Sequence, residues 1–262
     1  VPYKAPVKDI VFGYEVIDSY NVLNKISAFS DFSEDIVVPT MEECAKFSEE
    51  VLAPINAIGD QQGATIKDGV VTMPEEFVDA YKKFAEAGWA SISLPSDIGG
   101  GGMPITLSGG TLEILSTANL AFGLAPGLSA GAISAINFHG NQEQKDKFLP
   151  KLVSGEWTGT MNLSEPQSGS DLGTITTKAE PQEDGSYKIT GTKVWITFGE
   201  HNMTENIIHL VLAKVPGSPE GTKGISMFIV PKYIVNDDGS IGDSNNVSCI
   251  SIEEKLGIHA SP

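Results

Sequence analysis

The chain has little positive charge. It contains 17 lysine and arginine residues against 34 aspartate and glutamate residues, so its formal net charge at pH 7 is −17. A nucleic-acid-binding surface needs the opposite balance, and this class of function is therefore excluded. An acidic protein can still bind an anionic ligand, but it must do so through backbone N–H groups, helix N-termini and a few local bases.

Cysteines and metal-binding patterns are scarce as well. Cys44 and Cys249 are far apart in the sequence and in no metal-ligand spacing, which favours a reduced compartment and predicts a cytoplasmic protein. No signal-like N-terminus and no G-x-S-x-G nucleophile motif is visible. The histidines show no metal-ligand spacing either, so no metal site is predicted; they are His139, His201, His209 and His259.

One long segment lacks charge altogether. Residues 114–138 form a run of 25 without a charged side chain, which is long enough to span a bilayer. The run contains Gly123, Pro126, Gly127 and Gly131 together with four serine and threonine residues, and it lacks basic flanks. We therefore predict one or two buried helices with closely packed small residues, and no membrane span.

Residues 1 to about 155 show helical patterns. Thr72 and Glu75 fit a capping box with Pro74 in the first turn, and Gly88 is a natural stop. Between them the aromatic residues have one-face spacing; these are Phe77, Tyr81 and Phe84. Asn141 to Val153 is another clear helix, with Asn141 as N-cap. Residues 1–16, which include Pro2 and Pro6, are expected to form an extended arm.

Residues 156–262 change to strand patterns. Residues 187–198 alternate between apolar and polar positions except at Gly191, and short apolar runs follow at 207–215 and 225–230, between glycine and proline residues. A helical half followed by a strand half predicts an α+β protein of two domains. The four glycines 99–102 are expected to form a flexible loop between helices, and residues 236–246 a solvated hairpin tip.

Two segments predict a binding site for a large planar cofactor with phosphates. Met161 to Asp171 reads M-N-L-S-E-P-Q-S-G-S-D and combines the hydroxyl of Ser164 with a tight turn at Gly169 and Ser170. Lys193 to Gly199 reads K-V-W-I-T-F-G. If this run is a strand, Trp195 and Thr197 share one face and form an aromatic wall with a hydroxyl beside it. Glu165, which Pro166 follows, is expected to fix the turn rather than to act in catalysis.

These segments resemble the flavin-binding segments of the acyl-CoA dehydrogenases, which usually read T-E-P-x-A-G-S-D and W-I-T. Ser164 replaces the threonine and keeps the hydroxyl, and Ser168 replaces the alanine and stays small. Residues 140–155 and 255–262 extend the resemblance to roughly 35–262. Residues 3–22 and the F-G-E-H run at 198–201 resemble a subfamily of longer chains that includes the 3-methylmercaptopropionyl-CoA dehydrogenases.

The resemblance implies a fold and a domain plan. It implies an arm and first helix at 1–34, an all-helical domain at 35–155 whose charge-free helix borders the acyl-chain pocket, and a β-barrel-like or sandwich domain at 156–262, truncated at its end. The family's C-terminal helical domain is absent from this chain. That domain supplies the carboxylate base, so the catalytic residue is unknown here.

The resemblance also implies an activity, which is oxidation of an acyl-CoA thioester to the 2,3-enoyl thioester. A base takes the α-proton, and a hydride passes from the β-carbon to N5 of FAD. Three groups of cofactor-binding residues follow: Met161, Leu163 and Ser164 at the polar ring edge; Gly169 and Ser170 at the pyrophosphate, with Ser170 also at the CoA arm; and Trp195, Ile196 and Thr197 along the ring and near N5. Electron-transferring flavoprotein is the expected electron acceptor, and the full-length protein is expected to be a homodimer or homotetramer.

Two other functions stay open at this point. One is a flavin-dependent oxidase or monooxygenase on the same fold, which differs in how its reduced flavin treats oxygen. The other is a non-catalytic binding or assembly module, which the lack of a base domain would allow. An isolated fragment of this length is expected to lack activity and to hold FAD weakly or not at all.

Overall fold

The computed structural model describes residues 2–262, and Val1, the first residue of the expected arm, lies outside the described residues. The first half of the chain is helical. Its helices are α1 (Val7–Val16), α2 (Ser19–Leu23), α3 (Glu34–Phe47), α4 (Ala53–Gln62), α5 (Glu75–Glu86), α6 (Ile105–Ala118), α7 (Leu120–His139) and α8 (Gln142–Ser154). A π-helical turn at Ser48–Leu52 joins α3 to α4, and a short hairpin of β1 (Thr65–Lys67) and β2 (Val70–Thr72) precedes α5.

The expected extended arm is wrong for most of its length, because Val7–Val16 is helix α1. Only residues 2–6 precede the helix without regular structure. Tyr14 explains the difference: its side chain is 5% exposed in the helical core, and its hydroxyl donates a hydrogen bond of 2.6 Å to the Thr106 carbonyl oxygen. Burial of this aromatic side chain stabilises a helix that the two prolines had suggested was absent.

Helix α5 has the predicted buried face but not the predicted cap. Phe77, Tyr81 and Phe84 are all buried, and Gly88 adopts the left-handed conformation just beyond the helix, with φ of 75°. The capping box is wrong, because Thr72 belongs to β2 and the N-cap position is Pro74, with no side-chain cap. Aromatic packing from α7, through Phe122 against Phe84 at a centroid distance of 5.6 Å, stabilises the helix without that cap.

The charge-free run forms the end of α6 and most of α7, as predicted. Asn119 separates the two helices, and its side chain caps α7 by accepting from the Phe122 N–H at 3.1 Å. By length and composition alone α7 could cross a membrane, but buried core helices pass the same test and 44% of its most apolar window is buried. The helix is therefore weak evidence for a membrane span.

The second half of the chain is built on a five-stranded mixed sheet. Its strands are β3 (Trp157–Asn162), β4 (Lys178–Pro181), β5 (Tyr187–Thr190), β6 (Asn206–Lys214) and β7 (Ile225–Pro231). The central strand β6 pairs in parallel with β3, in the register Thr160 to His209, and antiparallel with β7. A hairpin of β8 (Tyr233–Val235) and β9 (Ile241–Ser244) follows, and residues 236–240 form its tip. The predicted tip at 236–246 is too long, because residues 241–244 pair with β8 as a strand.

The helical unit followed by a sheet confirms the predicted α+β class, and the two halves share a hydrophobic core. One core lies among the helices, while the second joins α7 and α8 to the sheet. The second core contains Ile133, Phe148 and Leu152 from the helices, and Trp157 and Ile208 from the strands. At Gly159 of β3 an added Cβ would lie 2.4 Å from the Ala132 side chain, so a glycine lets α7 approach the strand closely.

The four-glycine loop is an ordered turn rather than a flexible connection. The N–H of Gly100 donates to the Pro95 carbonyl oxygen at 2.9 Å, and the N–H of Gly102 to that of Leu94 at 2.9 Å. A Cβ on Gly100 would lie 2.2 Å from the Leu94 carbonyl oxygen. The glycines therefore permit close backbone contact, and they do not provide a phosphate-binding loop.

Candidate functional site

The first predicted segment forms a tight turn after β3, and Glu165 lies at its centre. The N–H of Glu165 donates to the Ser168 carbonyl oxygen at 2.7 Å, and the N–H of Ser168 donates back at 2.9 Å. The Glu165 side chain is 2% exposed. Its carboxylate accepts hydrogen bonds from the backbone N–H and the hydroxyl of both Thr176 and Thr177, at 2.5–3.1 Å. This bonding agrees with the predicted role of Glu165 in fixing the turn.

The ionisation of Glu165 follows from those contacts. Burial alone would raise the pKa of its carboxyl group, because it removes solvation from the charged form. The hydrogen bonds from Thr176 and Thr177, together with those from Lys193 and Gln167, outweigh burial and hold the pKa well below its usual range. Glu165 is therefore a carboxylate at neutral pH.

The structure brings the two predicted segments into contact. The N–H of Val194 donates a hydrogen bond to the Ser164 carbonyl oxygen at 3.0 Å. Lys193 Nζ lies 2.9 Å from Glu165 Oε1 and 3.0 Å from the Leu163 carbonyl oxygen. The Lys193 side chain is 8% exposed, so this ion pair is buried. It was not predicted from the sequence, although Lys193 and Glu165 both lie inside the motif segments.

The predicted strand through Trp195 and Thr197 is wrong. Strand β5 ends at Thr190, and residues 191–196 have no strand partner among the residues described. Trp195 and Phe198 have left-handed backbones with φ of 57° and 52°, so side chains two apart no longer share a face. The alternation stops at Gly191, where a Cβ would lie 2.2 Å from Thr177 Oγ1. A side chain at this position would therefore not fit without a shift of Thr177.

The resulting turn exposes Trp195 and buries Phe198. The Trp195 side chain is 68% exposed, whereas Phe198 is 1% exposed in the helical core. The N–H of Phe198 donates to the Pro262 carbonyl oxygen at 2.6 Å, and the N–H of Gly199 closes the turn onto Ile196 at 2.9 Å. The Trp195 side chain is thus accessible, but a turn rather than the predicted strand presents it.

A wide cleft of about 1620 Å³ lies beside this turn. Of the predicted site residues, Trp195, Ile196 and Thr197 line it. Of the remaining five, Met161 lies inside β3 and packs against the second core, while the other four follow the strand: Leu163 and Ser164 are half-buried, and Gly169 and Ser170 are exposed. Ser164 joins the two groups through its hydrogen bond with Val194. Other sides of the cleft come from β5, β7, residues 245–255 and the ends of α7 and α8.

Behind the two segments lies a buried polar layer that was not predicted. His201 Nδ1 accepts from the Met203 N–H at 3.2 Å, so its Nε2–H donates to Thr158 Oγ1 at 3.0 Å. His209 Nδ1 lies 2.7 Å from Thr160 Oγ1, and within residues 2–262 its Nε2 has no hydrogen-bond partner. Burial, followed by the nearby Lys232 charge, lowers the pKa of His201 to about 3 and that of His209 to about 4. Both histidines are therefore neutral. Their structural role stays a prediction, because His209 also lines the cleft.

The structure combines a helical unit with a mixed sheet, and segments of both line the cleft. This is an α+β protein of two parts, and both parts match known protein domains. Residues 39–156 match the acyl-CoA dehydrogenase N-terminal domain, and residues 160–262 match the acyl-CoA dehydrogenase middle domain. The chain therefore belongs to the acyl-CoA dehydrogenase family.

Individual relatives agree with the family assignment. The chain is 44% identical to a 3-methylmercaptopropionyl-CoA dehydrogenase of Ruegeria pomeroyi over 260 residues, which cover 99% of this chain and 44% of that protein. It is 39% identical to a butyryl-CoA dehydrogenase of Syntrophomonas wolfei over 264 residues, covering 99% of this chain and 43% of the relative. The chain thus spans less than half the length of these curated relatives.

A solved structure has the same fold. The acyl-CoA dehydrogenase from Bacillus anthracis, crystallised in complex with FAD, superposes with a TM-score of 0.68 at 28% identity. The match covers 88% of this chain and 35% of that chain.

Proposed function

We propose that this chain is the helical and β-domain part of an FAD-dependent acyl-CoA dehydrogenase that oxidises an acyl-CoA thioester to the 2,3-enoyl-CoA. The observation that best supports this function is the contact between the two flavin-like segments, made by Val194 with Ser164 and by Lys193 with Glu165. Family membership and the FAD complex of the Bacillus anthracis relative support it further. The domain plan we propose is an arm and first helix at 1–34, a helical domain at 35–155 and a β-domain at 156–262.

The residues of the site fit a flavin. Trp195 offers an indole that is 68% exposed at the edge of the cleft, suited to packing along a planar ring. Leu163, Ser164, Ile196 and Thr197 are half-buried beside it and offer backbone groups and hydroxyls to the polar ring edge. Gly169 has open space where a Cβ would stand, with only Ser164 Oγ at 4.0 Å. That space suits a pyrophosphate approaching the backbone.

FAD would supply the hydride acceptor for the reaction. The residues of this chain would bind the cofactor and orient it. Trp195 would pack along the ring, and Thr197 would offer its hydroxyl near N5. Ser164 and the backbone at Leu163 would bind the polar edge of the ring, and Met161 packs against the second core. Gly169 and Ser170 leave a path for the CoA arm. We propose that the base that removes the α-proton is a carboxylate outside residues 1–262.

The remaining proposals concern the whole protein. Its electron acceptor is electron-transferring flavoprotein, its assembly is a homodimer or homotetramer, and its compartment is the cytoplasm, without a membrane span. The 44% identity to a 3-methylmercaptopropionyl-CoA dehydrogenase supports a short acyl-CoA substrate of that type.

The test is flavin content and substrate reduction of the full-length gene product. We expect FAD absorbance to co-elute with the protein on gel filtration and to bleach when an acyl-CoA is added without oxygen. Protein that never binds FAD would contradict the proposal. Rapid reoxidation of the bleached protein by air, without an electron-transfer partner, would instead favour an oxidase.

A further inference from the structure

Lys193 occupies an unusual position for a cation in this chain. All 17 basic residues are lysines, and among the lysines in ion pairs Lys193 has the most buried side chain, at 8% exposed. Its ammonium group contacts two acceptors, Glu165 Oε1 at 2.9 Å and the Leu163 carbonyl oxygen at 3.0 Å. A buried cation is costly unless it is paired and hydrogen-bonded, and here both conditions are met.

The turn at Glu165 has other donors besides Lys193. The N–H groups and hydroxyls of Thr176 and Thr177 bind its carboxylate, and Gln167 Nε2 donates at 2.7 Å. Even without Lys193, the contacts with Thr176 and Thr177 would join the turn to the segment before β4. The second bond of Lys193, to Leu163, does not involve the carboxylate and reaches the backbone of the flavin-like segment.

That second bond acts on one peptide group. The Leu163 carbonyl and the Ser164 N–H belong to the same peptide unit, so a cation on the oxygen draws electron density from the nitrogen and makes the N–H a stronger donor. Hydrogen bonds in a chain polarise one another in this way, and the effect is larger away from water. The carbonyl of Ser164, in turn, is held by the Val194 N–H at 3.0 Å. The peptide groups on both sides of the Ser164 Cα are therefore hydrogen-bonded through their carbonyl oxygens.

We propose that Lys193 is a positioning residue that acts through the Leu163–Ser164 peptide group to favour the reduced form of a flavin bound at this edge. The inference rests on the proposed function. The reduced cofactor has accepted a hydride from the substrate and carries one more negative charge than the oxidised form. A strengthened donor stabilises the more negative form more, so Lys193 raises the reduction potential of the bound cofactor.

The experiment compares charge-balanced variants of the full-length gene product. Lys193→Met combined with Glu165→Gln removes the pair without leaving one buried charge alone, which a single substitution would do. The matched control, Lys178→Met with Glu180→Gln, removes one lysine and one glutamate from exposed positions on β4. The readouts are the midpoint potential of bound FAD, the dissociation constant of FAD, and the thermal midpoint of the apoprotein.

We expect the double variant to lose about tenfold in its preference for reduced over oxidised FAD, which is about 30 mV for a two-electron couple. The control should keep the wild-type potential. Where the variant binds FAD weakly and the apoprotein is as stable as the control, the dissociation constants of oxidised and reduced FAD are compared. A ratio of the first to the second that is about tenfold smaller than in the wild type also supports the proposal. An unchanged potential, or loss of FAD together with a lower apoprotein melting temperature, would overturn it. If the wild-type protein itself binds no FAD, the proposed function fails instead, before any variant is made.

Discussion

The N–H of Phe198 donates a hydrogen bond of 2.6 Å to the carbonyl oxygen of Pro262, and this contact joins the Trp195–Phe198 turn to residues 64 positions later. The segment before Pro262 is itself anchored, because Ala260 is fully buried among the helices. At Gly59 of α4 an added Cβ would lie 3.0 Å from the Ala260 side chain. The turn that carries Trp195 is therefore positioned by the helical core as well as by the sheet.

Phe198→Ala should strongly destabilise the protein. The side chain is 1% exposed, and removal of a fully buried phenylalanine leaves a cavity and costs about 3–5 kcal/mol. Phe138→Ala is the matched control, because Phe138 is 77% exposed and its loss should change stability by less than about 0.5 kcal/mol. Urea unfolding of both variants measures the difference. Equal midpoints for the two variants would contradict the packing of Phe198.

Trp195→Gly should separate folding from cofactor binding. The left-handed backbone at φ of 57° suits glycine, and the indole is too exposed to contribute much to the core. We expect the apoprotein to keep its stability within about 1 kcal/mol while its affinity for FAD falls. Thermal unfolding and FAD titration are the measurements. Should FAD bind this variant as tightly as wild type, Trp195 is not part of the flavin site.

Ser170→Arg should block binding of CoA esters without unfolding the protein. Ser170 is exposed at the end of the turn, next to the open space at Gly169, so a long side chain fills the path without disturbing the core. Ser30→Arg, at an exposed position in the turn before α3, is the control for added charge. Substrate affinity is measured in the full-length protein. Unchanged affinity would show that the turn is structural only.

Thr197→Val should slow reduction of the cofactor by roughly ten- to a hundredfold. The substitution removes the hydroxyl and keeps the β-branched shape, and Thr197 is half-buried at the cleft edge. Stability should barely change. Single-turnover bleaching by an acyl-CoA is the measurement, and bleaching at the wild-type rate would exclude a role for this hydroxyl.

Acid should destabilise the protein in a window set by His201 and His209. Their pKa values in the folded protein are lowered to about 3 and about 4 by burial and then by Lys232. In the unfolded chain both titrate near about 6.5, so between about pH 6.5 and pH 4 the unfolded state binds more protons. Stability is complete above this window and falls as the pH is lowered through it.

Urea midpoints between pH 8 and pH 4 measure this dependence. His209→Gln removes one of the two groups and should reduce the slope by about half. A flat profile for the wild-type protein across the window would contradict the burial of the two neutral histidines.

The sequence by itself determined the features that depend on neighbouring residues. The aromatic face of α5 and the Asn141 N-cap of α8 were predicted correctly, and the hairpin tip was predicted in the right place but too long, because helix spacing, capping and turn chemistry act over a few residues. The two motif segments were also visible, because their residue types are specific. The family followed from them.

Only the tertiary structure decided how those segments are shaped and joined. Trp195 and Phe198 adopt left-handed backbones that local propensity disfavours, and a contact with Pro262 stabilises the turn. Tyr14 makes a helix of the expected arm through a hydrogen bond to Thr106. The Lys193–Glu165 pair spans 28 residues. The spacing of apolar residues along the sequence does not indicate which buried charges meet across such a distance. Long-range packing therefore overrode local preference at the positions that form the candidate site.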